Sequence, residues 1–235
     1  MEKKGMLGLH HPSGMLLRDT VFGVNDGIVS TLALIAGLSA ANMTSTVVII
    51  AGLAESFAGA ISMAIGSYIS TKSKSEFMQH ELRHEQSAIE KKPRQEREHL
   101  MAIYRARGIT GKELETVVNT LISNKKVWGD VMQREELGFT SAILEDPWKG
   151  AAAMFFSFLF ASLLPLLPFF YGMAGMFAFV SALFNGLLLL FLVGVGKTYF
   201  TRKNKVRSGV EMVIVGGIAT ALAYGVGYFI SSFVW

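Results

Sequence analysis

Residues 150–199 read GAAAMFFSFLFASLLPLLPFFYGMAGMFAFVSALFNGLLLLFLVGVGKTY, and Lys197 is the single charged side chain among them. A spanning helix needs roughly 20 mainly apolar residues, each rising about 1.5 Å across a hydrocarbon core near 30 Å thick. The stretch therefore holds two spans, 150–171 and 173–199, separated by a short uncharged turn. Working outward, 208–234 is a third apolar run of the same length. Toward the N-terminus, 19–41 and 46–71 also qualify, although carboxylates interrupt both. The expected fold is all-α: an integral membrane protein with five transmembrane helices and a helical cytosolic domain inserted between helices 2 and 3.

The rest of the composition agrees. Of 235 residues, 51% are hydrophobic and 17% charged, with a mean hydropathy of +0.41, whereas a soluble domain carries about a quarter charged residues. Thirteen of the 18 Asp and Glu fall between positions 74 and 148, leaving Glu2, Asp19, Asp26, Glu55 and Glu211 elsewhere. Three regions follow: 1–73, an N-terminal tail with spans 1 and 2; 74–148, a charged cytosolic domain; and 149–235, with spans 3 to 5. The net charge of +4 does not point to nucleic acid, because the central block balances 12 Lys and Arg against 13 acids. No cysteine is present, which excludes disulfides and thiolate ligands. The first 18 residues carry no apolar core, so no cleavable signal peptide is expected.

Orientation follows from basic residues in short loops. Lys197, Arg202, Lys203, Lys205 and Arg207 crowd the loop between spans 4 and 5; Lys3, Lys4 and Arg18 precede span 1; Lys72, Lys74 and Lys149 bracket the central block. Loops 41–45 and 171–175 and the C-terminal end are uncharged. The N-terminus and residues 74–148 are expected in the cytosol and the C-terminus outside. In the central block, span 2 can continue as one rod to about Lys92. A second helix starts at Pro93, suited to a first turn, and stops at Arg105–Gly108. Thr110 with Glu113 reads as a capping box for a third helix, and a fourth covers about 124–137.

A carboxylate at bilayer depth costs a few kcal/mol and so faces a protein interior or a water path. Asp19 and Asp26 lie two turns apart on one helix face with Gly23, Ser30 and Gly37. On span 2, Gly52, Glu55, Gly59, Ser62, Met63 and Gly66 form a comparable stripe. Small residues allow close helix approach, while Glu55 and Met63 project oxygen and sulfur. A thioether beside carboxylates suits a borderline cation such as Fe²⁺ over Mg²⁺ or Ca²⁺. In the central block His80, Glu81, His84 and Glu85 share one side of a helix, Glu96, Glu98 and His99 follow Pro93, and Met132 and Glu136 form an i,i+4 pair. Each Glu alone reads as a solvated helix surface; together they make a candidate transition-metal site. A different class also fits: Glu81–His84 and Glu96–His99 are both Glu-x-x-His, as in di-iron carboxylate bundles, which would make the chain a membrane-anchored iron oxidase or a metal sensor. The matching glutamates of such a bundle, sought among Glu113, Glu115, Glu135 and Glu136, form no obvious four-helix frame.

The stretch RDTVFGVNDGIVST at 18–31 resembles the first-helix signature of the vacuolar iron transporter family. AIGSYIS at 64–70, IYRARG at 103–108 and PLLP at 165–168 match further family motifs, so the resemblance covers nearly the whole chain in order. It implies a homodimeric five-helix transporter, not an enzyme, with its ion path between the subunits. The family exchanges cytosolic Fe²⁺, often also Mn²⁺, for protons, and has no prosthetic group. By the same resemblance Asp26 and Met63 are membrane metal ligands, and Asp19 and Glu55 are supporting acids; because metal and proton compete for one carboxylate, protonation of Asp26 or Glu55 is expected to help release the ion. Glu85, Glu96, Met132 and Glu136 are counterparts of the cytosolic metal ligands, beside Glu81 and His99. Ala88 and His99 depart from the pattern, since glutamates are expected there; Ala88 cannot coordinate a metal, whereas His99 can. A chain this compact leans toward a prokaryotic plasma membrane.

Overall fold

The computed structural model describes residues 13–136 and 146–234. Among them every regular element is helical. In order these are α1 (Ser13–Ala40), α2 (Ser45–Lys91), α3 (Pro93–Ala106), α4 (Gly111–Ile122), α5 (Lys125–Glu136), α6 (Pro147–Leu163), α7 (Leu167–Phe170), α8 (Gly175–Thr201) and α9 (Lys205–Val234). The chain divides into two compact units at Ile69/Ser70 and at Asp146/Pro147, and the 47-residue α2 contributes to both.

In the first unit α1 packs against α6, α8 and α9. Ile28, Leu32, Phe158 and Leu190 are almost wholly buried there, and Ile35, Val48, Leu166 and Phe169 form a second apolar cluster toward the other end of α1. The outer faces are just as apolar. Phe57, Ile65, Phe160, Phe184, Leu222 and Phe229 are each at least half exposed, an arrangement that water disfavours and lipid accepts. Among the described residues four helices are long and apolar enough to cross a membrane: Leu16–Ala40, a stretch within Ser45–Lys91, Gly175–Tyr199 and Lys205–Phe233. The chain is an integral membrane protein.

The remaining expected span, 150–171, departs from a single rod. α6 has 17 residues and stops before Pro165, and α7 adds four. Proline removes a backbone donor and clashes with the preceding turn. Pro168 thereby deprives the Leu164 carbonyl of its helical partner, and Asn185 Nδ2 on α8 donates to that oxygen at 2.8 Å. An irregular backbone at this depth is tolerated where such a group re-satisfies it. Asn185→Leu is expected to lower the melting temperature of the purified protein by the equivalent of about 0.6–1.7 kcal/mol, the range measured for polar contacts between membrane helices.

The turn after α1 and the turn before α8 meet, because Ser45 Oγ donates to the Met173 carbonyl at 3.3 Å. The two uncharged loops thus occupy one end of the unit. At the opposite end Arg202 closes α8 in the left-handed region at φ 52°, and Asn204 Oδ1 accepts from the Arg207 amide at 3.1 Å to cap α9.

The second unit is built on the core Ile89, Leu100, Leu114, Val118, Trp128 and Met132. Pro93 opens α3, and the chain leaves it through Gly108 at φ +92°, where the Ile109 amide reaches back to the Tyr104 carbonyl at 3.2 Å. Thr110 precedes α4 with extended backbone but makes no side-chain cap, contrary to the capping-box expectation. Gly111 follows at φ +62°, so the first turn does not present its amides to the Thr110 hydroxyl. Asn124 does cap, its Oδ1 accepting from the amides of Lys126 and Val127 at 3.0 and 3.3 Å.

Candidate metal sites

The membrane unit carries its acids on two helices. Asp19, in the first half of α1, is 2% exposed. Its Oδ1 accepts from Arg18 Nε and Nη2 at 3.0 and 2.9 Å, while Oδ2 has no hydrogen-bond partner. The Arg18 side chain is 67% exposed, so the pair is half in solvent and the acid half in protein. Asp26, two turns on, is half-buried. Between them Gly23 lies against Ser157 and Met154, and Gly27 lies against the backbone of Phe158, both on α6. The missing side chains at 23 and 27 let α1 and α6 approach at backbone distance, which fixes the α1 face bearing the acids.

Glu55 and Met63 on α2 are also half-buried. The Glu55 carboxylate folds along its own helix: a Cβ on Gly59 would lie 3.5 Å from Glu55 Oε1 and 2.5 Å from the Phe158 ring. The stripe of small residues read from the sequence divides here. Gly52 and Gly59 pack against Leu166 and Phe158, whereas Gly66 meets nothing within 4 Å and Ser62 is exposed.

In the second unit Glu85 is buried, Glu81 and Glu96 half-buried, and His80, His84, Glu98 and His99 exposed. Glu96 Oε2 lies 3.8 Å from His99 Nδ1, so the two expected ligands of α3 are neighbours. Met132 is wholly buried among apolar side chains. Glu136 belongs to α5, but its side chain, like Lys3 and Lys4, lies outside the described residues. Glu135, one position earlier, is engaged by the Arg107 guanidinium, whose Nη1 donates to Oε1 at 2.8 Å.

Among the described residues no three His, Asp or Glu side chains converge closely enough to hold a metal ion. The structure pairs Glu96 with His99 and places Asp19, Asp26, Glu55 and Met63 in one unit, but it does not gather them into one coordination sphere. Two contributors were not read from the sequence. Ser67 on α2 and Gly150 on α6 border Asp19 Oδ2: a Cβ on Gly150 would sit 2.8 Å from that oxygen and 3.2 Å from Ser67 Oγ. Ser67 follows Met63 by one helical turn, a signal that was available. Gly150 carried none, since only packing shows what its lack of a side chain leaves open.

Comparison with known proteins fits this picture. The model of the VIT family matches residues 17–228. A protein named vacuolar iron transporter from Centaurea cyanus is 36% identical over 216 residues, covering 92% of this chain and 88% of its own. Vacuolar iron transporter 1 of Arabidopsis thaliana is 36% identical over 215 residues, 92% and 86% of the two chains. A vacuolar iron transporter of Toxoplasma gondii is 32% identical over 220 residues, 90% and 73%. These relatives are plant and apicomplexan proteins, so the leaning toward a prokaryotic plasma membrane is not borne out.

Proposed function

The chain belongs to the VIT family, and from that premise we propose that it carries Fe²⁺, with Mn²⁺ as a second cargo, across a membrane in exchange for protons. Its relatives are named as transporters and not as enzymes. The observation that carries the reading is the placing of Asp26 and Glu55, half-buried, on helices otherwise built for lipid. Carboxylates are kept at that depth for a cation or a proton.

In this reading α6 and α7 together make the fifth crossing, broken at Pro165, and the basic end of the unit faces the cytosol. The three regions 1–73, 74–148 and 149–235 act as tail with two spans, cytosolic metal-gathering domain, and three spans. Glu81, Glu85, Glu96, His99, Met132 and Glu136 gather the ion. The burial of Met132 requires its sulfur to be uncovered by a local shift before it can ligate. The ion then passes by Asp19 to Asp26 and Met63, with Glu55 beside them. Two copies of the chain, embedded in lipid, would complete a coordination sphere that one copy leaves open, with the exposed Ser62 and Gly66 edge of α2 toward the partner.

Coupling follows from competition. A carboxylate must be deprotonated to bind metal, so metal entering from one side releases a proton and a proton arriving from the other side releases metal. Sealed proteoliposomes under anaerobic conditions are expected to take up Fe²⁺ and Mn²⁺ at rates that rise with an opposing pH gradient. Flux indifferent to the gradient would remove the exchange step, and absence of flux for both ions would remove the transport reading.

A further inference from the structure

Two adjoining cavities open at the basic end of the membrane unit. One, of 560 Å³, lies among α1, α8 and α9 and is lined by the charged Arg18, Lys197 and Glu211 together with the apolar Val21, Phe22 and Met212. The other, of 730 Å³, is lined by Lys203, Arg207 and Ile214, and Glu211 and Val215 belong to both. Ligand sites run from about 300 to 1,000 Å³, so either is large enough to hold one. The charge is one-sided. Four cations stand against Glu211 and, through its hold on Arg18, Asp19, which leaves a surplus of two positive charges. The remaining walls belong to the lipid-facing surface, since Phe22, Ile214 and Val215 are each more than half exposed. Depth is set by the helix ends: α8 stops at Thr201 and α9 starts at Lys205. Tyr199, 83% exposed, stands at the same level, as aromatic rings do beside headgroups. Just inside this end a Cβ on Gly194 would lie 2.7 Å from Gly209 Cα, so the helices that carry Lys197 and Arg207 are fixed relative to one another.

We propose that the two cavities together seat one anionic phospholipid, with its phosphate among Lys197, Lys203 and Arg207 and the start of an acyl chain against Phe22 and Val215. Basic pockets between membrane helices take anionic headgroups in this way. Lys and Arg stems lie along apolar walls while their charged heads reach the phosphate. Both features are needed together. A soluble anion has no use for Phe22 and Val215, and a neutral lipid has none for the basic surplus. A second copy of the chain is a different occupant, but the edge proposed for it, at Ser62 and Gly66, is on α2, which lines neither cavity. The site rests on the membrane character of the chain and not on transport. Cytosolic leaflets carry the anionic lipids, which agrees with a cytosolic placing of the basic end.

Native mass spectrometry of the full-length protein in detergent tests the site by titration with phosphatidylglycerol or with phosphatidylcholine of the same acyl chains. One phosphatidylglycerol per chain is expected, held at least about tenfold more tightly than phosphatidylcholine. Lys203→Gln combined with Arg207→Gln should weaken it roughly 30-fold, about fivefold for each basic residue beside an anionic lipid. Both side chains are exposed, and α9 is capped through the Arg207 amide rather than its side chain, so the fold should stand. Val215→Trp fills the wall common to both cavities without altering charge and should also weaken binding. Lys125→Gln combined with Lys126→Gln makes the same charge change in the second unit and should leave binding as it was. Equal affinity for the two lipids, or an equal loss in both double variants, overturns the site. Inorganic phosphate bound as tightly as phosphatidylglycerol, or a folded Val215→Trp protein that binds lipid like the parent, overturns the phospholipid as its occupant.

Discussion

Asp26→Asn is expected to cut Fe²⁺ and Mn²⁺ flux by about 100-fold or more while leaving the protein folded. The magnitude follows from ligand chemistry: even an outer partner of a metal ligand is worth 10–100-fold, and Asp26 is proposed as a ligand itself. Folding should survive because asparagine has the same shape, and a carboxylate at bilayer depth costs about 2.5–3.5 kcal/mol that the amide avoids. The melting temperature should therefore hold or rise. Asp19→Asn is the informative comparison. It removes the charge that Arg18 holds at 2.9 Å, but Arg18 is mostly exposed and can be resolvated, so a partial loss of flux is expected. Flux assays on both variants, with size-exclusion profiles as folding controls, check the pair. Wild-type flux in Asp26→Asn would end the proposed mechanism.

How much of this was legible beforehand depends on the kind of signal. Hydropathy located the apolar segments, because lipid-facing helices must be apolar on every side and that shows in any window. It did not see that α6 stops at Leu163, since Pro165 and Pro168 sit in a run as hydrophobic as its neighbours. Repair of that break by Asn185, 21 positions away, is a tertiary event. Local punctuation was partly legible. Pro93 and Gly108 bound α3 as their backbone chemistry requires, whereas Thr110 failed as a cap because the next residue turns away. Candidate ligands could be named but not assembled, for spacing on one helix cannot say what a second helix brings. Met132 shows the limit: an i,i+4 partner of Glu136 by sequence, it belongs to the apolar core that includes Leu100 and Trp128. Asp19 shows the reverse. Spacing could put it on one helix face with Asp26, but not show that it is 2% exposed, among the most deeply buried polar side chains of the unit.

The packing that positions Asp26 predicts a second large effect. Gly27→Val should prevent the membrane unit from folding as it stands. A Cβ at this position would lie 2.6 Å from the Phe158 carbonyl oxygen and 3.2 Å from the Ser162 amide nitrogen. Both are backbone atoms, which cannot swing aside as a side-chain tip can. Membrane helices are held together mainly by close van der Waals contact, so pushing α1 from α6 also empties the contacts of Phe158 and Ile28. Overpacking costs about 1–3 kcal/mol in cores that can relax, and a valine against backbone should exceed that, giving aggregated protein or a sharply lowered melting temperature. Gly225→Ala on α9 is the control, because its Cβ meets nothing within 4 Å and an exposed substitution is normally within about 0.5 kcal/mol. Equal stability of Gly27→Val and the parent would mean that α1 and α6 are not in backbone contact, and the placing of both acids on α1 would fall with that contact. If Gly66→Ala keeps its melting temperature but loses dimer content, the open edge of α2 is where the second copy docks. The coordination sphere that one chain leaves incomplete would then be closed across that seam.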